Sequence, residues 1–284
     1  MQITTGDKMA TVEYCLYRVN LILPAQKSWL HYQVSRADIF KASLEEKPDS
    51  QVRAGYTWHI GNVELFSKTS GYFAIGRTTR STIEKFDSES GNFVEEELET
   101  SPYTHCVFDA EIGFIGIAKK PSLSPTANGI ARRVEELLSR TTQVIENELR
   151  VEVVPIPDPE GFLRDIQQAY KVLQFAATFH GPNPFDADEF FQKPLSAYLA
   201  AADGNRGRAQ IDGEDLNREV IQAVTKSTAA TGNEASAKIQ RVSGARAIKI
   251  HLRGSGIGAS YEEDVHDPKQ VLQDLSGLYR RVRE

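Results

Sequence analysis

The chain has 284 residues, 40% of them hydrophobic and 25% charged, with a formal net charge of −6. That length suits one large domain or two ordinary ones, and that balance supports real cores beneath a normal solvated surface. The negative sign excludes a uniformly basic nucleic-acid-binding module and leaves room for a local basic face.

The N-terminal stretch MQITTGDKMATVEYC lacks the basic-then-apolar pattern of a secretory signal, and no run nears the ~20 apolar residues of a membrane span. A cytoplasmic protein without direct membrane insertion is expected. Thr11 to Leu23 alternates and is rich in β-formers, so it reads as a strand with Val12, Tyr14, Leu16, Leu21 and Leu23 toward a core and a break near Asn20. Ser35 with Asp38 resembles a helix-capping pair, opening a helix from Arg36 to Glu46 that stops before Pro48. Tyr56 to Phe66 and Gly71 to Arg77 form a hairpin with its aromatic side, Tyr56, Trp58, Phe73, toward the core. Gly76-Arg77-Thr78-Thr79-Arg80 is the most basic turn of this half; Arg77 and Arg80 either grip phosphates or solvate the strand end. Glu84 to Glu99 is acidic, a poor phosphate surface and an exposed edge or loop. His105 to Ala118 returns to strand character around a turn at Asp109 to Glu111. Ser124-Pro125 starts a helix with Ile130, Val134, Leu137 and Leu138 as its apolar stripe. Arg132 and Arg133 fall away from most of that stripe and solvate the helix, with phosphate contact as the alternative. The cysteines, Cys15 and Cys106, both sit in apolar runs. They are too few for a disulfide scaffold or a thiolate zinc site and read as small core hydrophobes.

From Arg150 the order is β–α–β–α–β–α–β–β–α. The strands are Arg150 to Ile156, Val172 to Phe179, Arg206 to Ile211, Ala235 to Val242 and Ala245 to Arg253. The helices follow Asp158-Pro159, Asp186 (delayed or kinked by Pro194), Leu216 and Asp267-Pro268. Leu216, Val220, Ile221 and Val224 are expected on the buried side of the third of these helices. The fold class is therefore mixed α/β (α+β) with two domains, 1–145 and 146–284, the second alternating strands and helices and ending in a C-terminal helix.

No local motif specifies a chemistry. His180-Gly181-Pro182-Asn183-Pro184-Phe185-Asp186 joins a strand to a helix and presents His180, Asn183 and Asp186, either as a rigid turn or as a contact site. Under an enzyme alternative, Asp186, Asp188 and Glu189 would hold magnesium in a nuclease or nucleotide-processing protein. Otherwise no cofactor, no metal and no catalytic residue is expected. Arg253 to Ser260 has a loose dinucleotide-loop spacing but no following helix, so it reads as a turn or a close backbone contact. The six histidines form no two-histidine zinc motif. Arg241, Arg246, Lys249, His251, Arg253, Arg280, Arg281 and Arg283 lie in the last part of the chain. If folding gathers them, they would follow a nucleic-acid backbone.

Gly113-Phe114-Ile115-Gly116-Ile117-Ala118, then Ser122 to Thr126 leading into a helix, Val151 to Ile156, and a late strand pair before the terminal helix together resemble the RexA component of a bacteriophage exclusion system and related defence proteins. The resemblance spans most of the chain and is architectural. It implies an antiviral, abortive-infection protein: a homodimer that contacts DNA or a DNA–protein complex and works with a small membrane effector protein. The acidic net charge departs from that pattern. The expectation is a DNA-associated sensor or adaptor acting without chemistry, with a protein-interaction scaffold and the magnesium-dependent enzyme as alternatives.

Overall fold

A computed structural model describes residues 11–22, 35–180, 191–204, 206–252, 256–262 and 267–283. The larger sheet opens with β1 (Thr11–Ile22), and α1 (Arg36–Glu45) leads to β2 (Asp49–Arg53), β3 (Tyr56–Leu65), β4 (Ser70–Asp87), β5 (Asn92–Thr100), β6 (Tyr103–Asp109) and β7 (Phe114–Ala118). Then come α2 (Ala127–Leu138), α3 (Thr142–Glu146), β8 (Arg150–Pro155), α4 (Glu160–Gln168), β9 (Lys171–His180), α5 (Gln192–Ala201), β10 (Arg206–Asp212) and α6 (Arg218–Ala230). β11 (Ala235–Gln240), β12 (Ile248–His251), β13 (Gly258–Glu262) and α7 (Pro268–Arg283) complete the described elements. The fold is mixed α+β with two sheet-containing domains, and the second part alternates strands and helices before ending in α7.

The nine-stranded sheet runs β13-β1-β7-β6-β4-β3-β2, with β8 beside the second half of β1 and β5 beside the second half of β4. β8 and β13 follow residue 146 in sequence, yet both pair antiparallel with β1. The larger sheet therefore draws on chain from both sides of that position. The four-stranded sheet has the order β10-β9-β11-β12.

β1 is buried on both faces. Cys15, Tyr17, Val19 and Leu21 join one core with α1 and the Ile130, Val134, Leu137 and Leu138 stripe of α2. Tyr14 and Leu16 face the other way, into a second core with Val271, Leu272, Leu275 and Tyr279 of α7 and the inward side of α4, α6 and the smaller sheet. A strand covered on both faces shows no apolar–polar alternation. It runs through Asn20 unbroken, and Arg18 and Asn20 are buried within it. The Arg18 guanidinium donates to the Tyr279 hydroxyl at 2.9 Å.

Several local expectations shift. Ser35 stands at the N-cap of α1 but makes no side-chain cap bond there. The helix expected at Ser124 starts at Ala127, where the Thr126 hydroxyl accepts the Gly129 N–H at 3.2 Å. Val220 is exposed, because α6 turns Ile221 and Thr225 inward instead. β13 is an added strand: Gly258 lies so close to the Tyr14 carbonyl that an added Cβ would overlap it, which is a close backbone contact of the kind glycine permits. The acidic stretch after Arg80 takes the exposed-edge form expected of it, not the loop. β4 continues to Asp87 and pairs with β5 as a two-stranded arm in which nearly every residue is exposed.

Candidate functional site

The β2–β4 end of the larger sheet faces the flank of α2 across a cleft of about 500 Å³. Strand register supplies its floor. Trp58 pairs with Arg77, and Tyr56 pairs with both Thr79 and Arg53, so Tyr56, Trp58 and Arg77 point to one side. Helix spacing supplies its wall. Gly129, Arg132, Arg133 and Glu136 recur at three- and four-residue intervals, beside the apolar stripe that docks α2 on the sheet. Gly129 lets the wall begin tightly, since an added Cβ would collide with the Ser124 hydroxyl.

Four guanidinium groups, Arg53, Arg77, Arg132 and Arg133, line this cleft. Arg53 lies 3.8 Å and Arg77 5.6 Å from the centre of the Tyr56 ring, and Arg133 lies 5.8 Å from that of Trp58. Cation–π contact sets Arg53, Arg77 and Arg133 against the floor. Arg77 donates to the Ser122 carbonyl at 3.2 Å, while its Nε–H is shielded from solvent without a hydrogen-bond partner. Among the described residues, Glu136 is the one carboxylate lining the cleft, and it is already engaged: Arg133 at 2.6 Å, Arg140 at 3.1 Å and the Ser50 hydroxyl at 2.8 Å all donate to it. Burial alone raises the Glu136 carboxyl, but those donors outweigh it and hold the group below the usual carboxylate value. The Tyr56 hydroxyl also sits below the usual phenol value, first through its hydrogen bond with Thr79 and then through Arg53 and Arg77. Among the described residues, Arg53, Arg77 and Arg132 form no salt bridge. The arrangement offers guanidinium donors of the kind that suit an anion. Forked guanidinium groups match the oxygens of a phosphate, with charge-assisted hydrogen bonds as the reward in energy and geometry.

The expected site residues are distributed as follows. Arg77 joins the cleft, whereas Arg80 points to the opposite face and pairs with Glu99 at 3.4 Å. Arg241 pairs with Asp165 of α4 at 3.2 Å. Arg246 is exposed before β12, and Lys249 and His251 stand on β12, where Lys249 lies opposite Lys238. Arg280 lies within electrostatic reach of Asp109, and Arg281 shares a shallow hollow with Asp158 and Glu160. Arg283 is half-buried near Arg18, and burial, reinforced by Arg18, lowers its affinity for a proton. Acids thus lie beside Arg241, Arg280 and Arg281, and the set spans β12 of the smaller sheet and α7 against the larger one. His180 ends β9 with Nε2 3.7 Å from a Glu152 carboxylate oxygen. Arg253, Asn183, Asp186, Asp188 and Glu189 lie outside the described residues. Among the described residues, no group of three or more His, Cys, Asp or Glu side chains is arranged to hold a metal ion. No described helix is long and apolar enough to cross a membrane.

The sequence does not single out Arg53, whose strand is only five residues long, and Arg132 and Arg133 read there chiefly as solvated helix surface. The available signal was the Arg-Ala-Gly-Tyr turn just before the aromatic strand: a tight turn brings its flanking residues onto one sheet end. No protein-family model matches the chain, and no curated protein matches its sequence.

Proposed function

We propose that the protein is a nucleic-acid-associated sensor or adaptor, most directly of DNA, which seats backbone phosphates in the arginine cleft and performs no chemistry there. The observation that carries this reading is the convergence of Arg53, Arg77, Arg132 and Arg133 around one carboxylate that is already neutralised by its own partners. Guanidinium groups that meet phosphates position a duplex but read no bases, so weak sequence preference is expected. The phage-response setting implied by the resemblance to RexA gives the proposal its biological context: a protein that senses DNA or a DNA–protein complex and signals to an effector.

Fluorescence anisotropy with a labelled duplex at low salt tests the assignment. Arg53→Gln/Arg132→Gln should weaken binding by roughly tenfold or more, at about 1 kcal/mol for each charge-assisted contact removed. Arg241→Gln/Lys249→Gln, outside the cleft, should change it little. The reverse ranking would move the contact surface to the C-terminal bases. Equal binding of single-stranded RNA would widen the ligand from DNA to nucleic-acid backbone in general.

A further inference from the structure

The β4–β5 arm has no covering element in the described structure. Its two strands pair from Thr79 opposite Thr100 to Asp87 opposite Asn92. Ile83, Val94 and Leu98 are exposed, and Phe86 and Phe93 stack edge-to-face near the tip at 52% and 82% exposure. A two-stranded ribbon with bare edges and apolar side chains is marginal alone in water and gains stability from burial against a partner.

Charge identifies the partner. Residues 79–100 contain seven carboxylates, Glu84, Asp87, Glu89, Glu95, Glu96, Glu97 and Glu99, against Arg80 and Lys85. This stretch holds five of the chain's six net negative charges, so the rest of the molecule carries a net charge of only −1. A basic complement on the same molecule is the arginine cleft, floored by Tyr56 and Trp58. An arm does not reach its own cleft. Tyr56 lies opposite Thr79, and β4 continues unbroken outward from there to Asp87. At about 3.3 Å per residue the tip stands roughly 26 Å beyond the cleft. A two-fold axis midway along two antiparallel arms, by contrast, brings each tip to the base of the other, where the other's cleft lies.

We propose that the acidic β4–β5 arm of one copy seats in the arginine cleft of a second copy, forming a reciprocal, two-fold homodimer. Where the cleft also binds nucleic acid, arm and phosphate compete for the same guanidinium groups. That competition rests on the function proposed above; the arm–cleft contact does not.

Sedimentation velocity on the full chain tests the dimer. The wild type should be dimeric at low salt and dissociate as salt rises, because exposed charge pairs are screened. Glu95→Lys/Glu97→Lys and Arg53→Glu/Arg132→Glu, all at exposed positions, should each raise the dimer dissociation constant by roughly tenfold or more, since symmetry counts every lost contact twice. Combining the two pairs in one chain should restore the dimer by exchanging the signs. A monomeric wild type, a dimer indifferent to both pairs, or a combined variant no better than its parents would overturn the proposal. Duplex binding by Glu95→Gln/Glu97→Gln separates the two claims. Dimer rescue without any DNA binding would remove the function and leave this contact standing. Tight DNA binding by a monomeric wild type would do the opposite.

Discussion

Arg77 and Arg80 stand three positions apart on one strand, and that odd spacing sends them to opposite faces of the sheet. One meets Tyr56, and the other is paired with Glu99. A basic turn is legible in the sequence; which of its side chains meets other bases is decided by the neighbouring strand. Arg18 makes the same point for the core, because a charged residue inside an apolar strand gives no sign that it is fully buried against Tyr279. His180 yields a prediction at this scale. Burial lowers its pKa below the usual histidine value of about 6.5, with Glu152 opposing that shift and Arg206 and Arg150 adding to it. Below that value the unfolded chain binds more protons at this site than the folded one, so acidification costs stability. Urea midpoints should fall from pH 7 toward pH 5, and His180→Gln should flatten part of that decline. An identical pH profile in the variant would show that His180 is not held neutral.

Most elements are readable from periodicity, because amphipathic helices such as α2 and α7 carry their apolar stripe in the sequence. What escapes is pairing over long separations. β13 and β8 meet β1 through contacts that no local window contains, and the glutamates of β5 leave an exposed edge and a loop both open, since a strand tolerates them when both faces are exposed. Gly116 of β7 shows how closely α7 docks: an added Cβ would overlap the Leu275 side chain and crowd Val107. Gly116→Ala should therefore destabilise the fold by about 1–3 kcal/mol through overpacking. Denaturant unfolding measures it, and a loss below about 0.5 kcal/mol would mean that the Leu275 side chain or α7 yields without cost.

The whole molecule separates its charge. A nearly neutral body carries the arginine cleft, and an acidic arm carries most of the net −6. A single net charge conceals that separation, which is why composition argued against a basic module yet left a basic face open. The same separation leaves the body little net charge with which to repel a polyanion. The most direct measurement is the salt dependence of duplex binding by the wild type and by Arg53→Gln/Arg77→Gln/Arg132→Gln. Each phosphate contact adds about 0.9 to the magnitude of the log–log slope, so the triple variant should be shallower by roughly 2 to 3. Equal slopes, or no saturable binding by the wild type even at low salt, would contradict phosphate binding in the cleft.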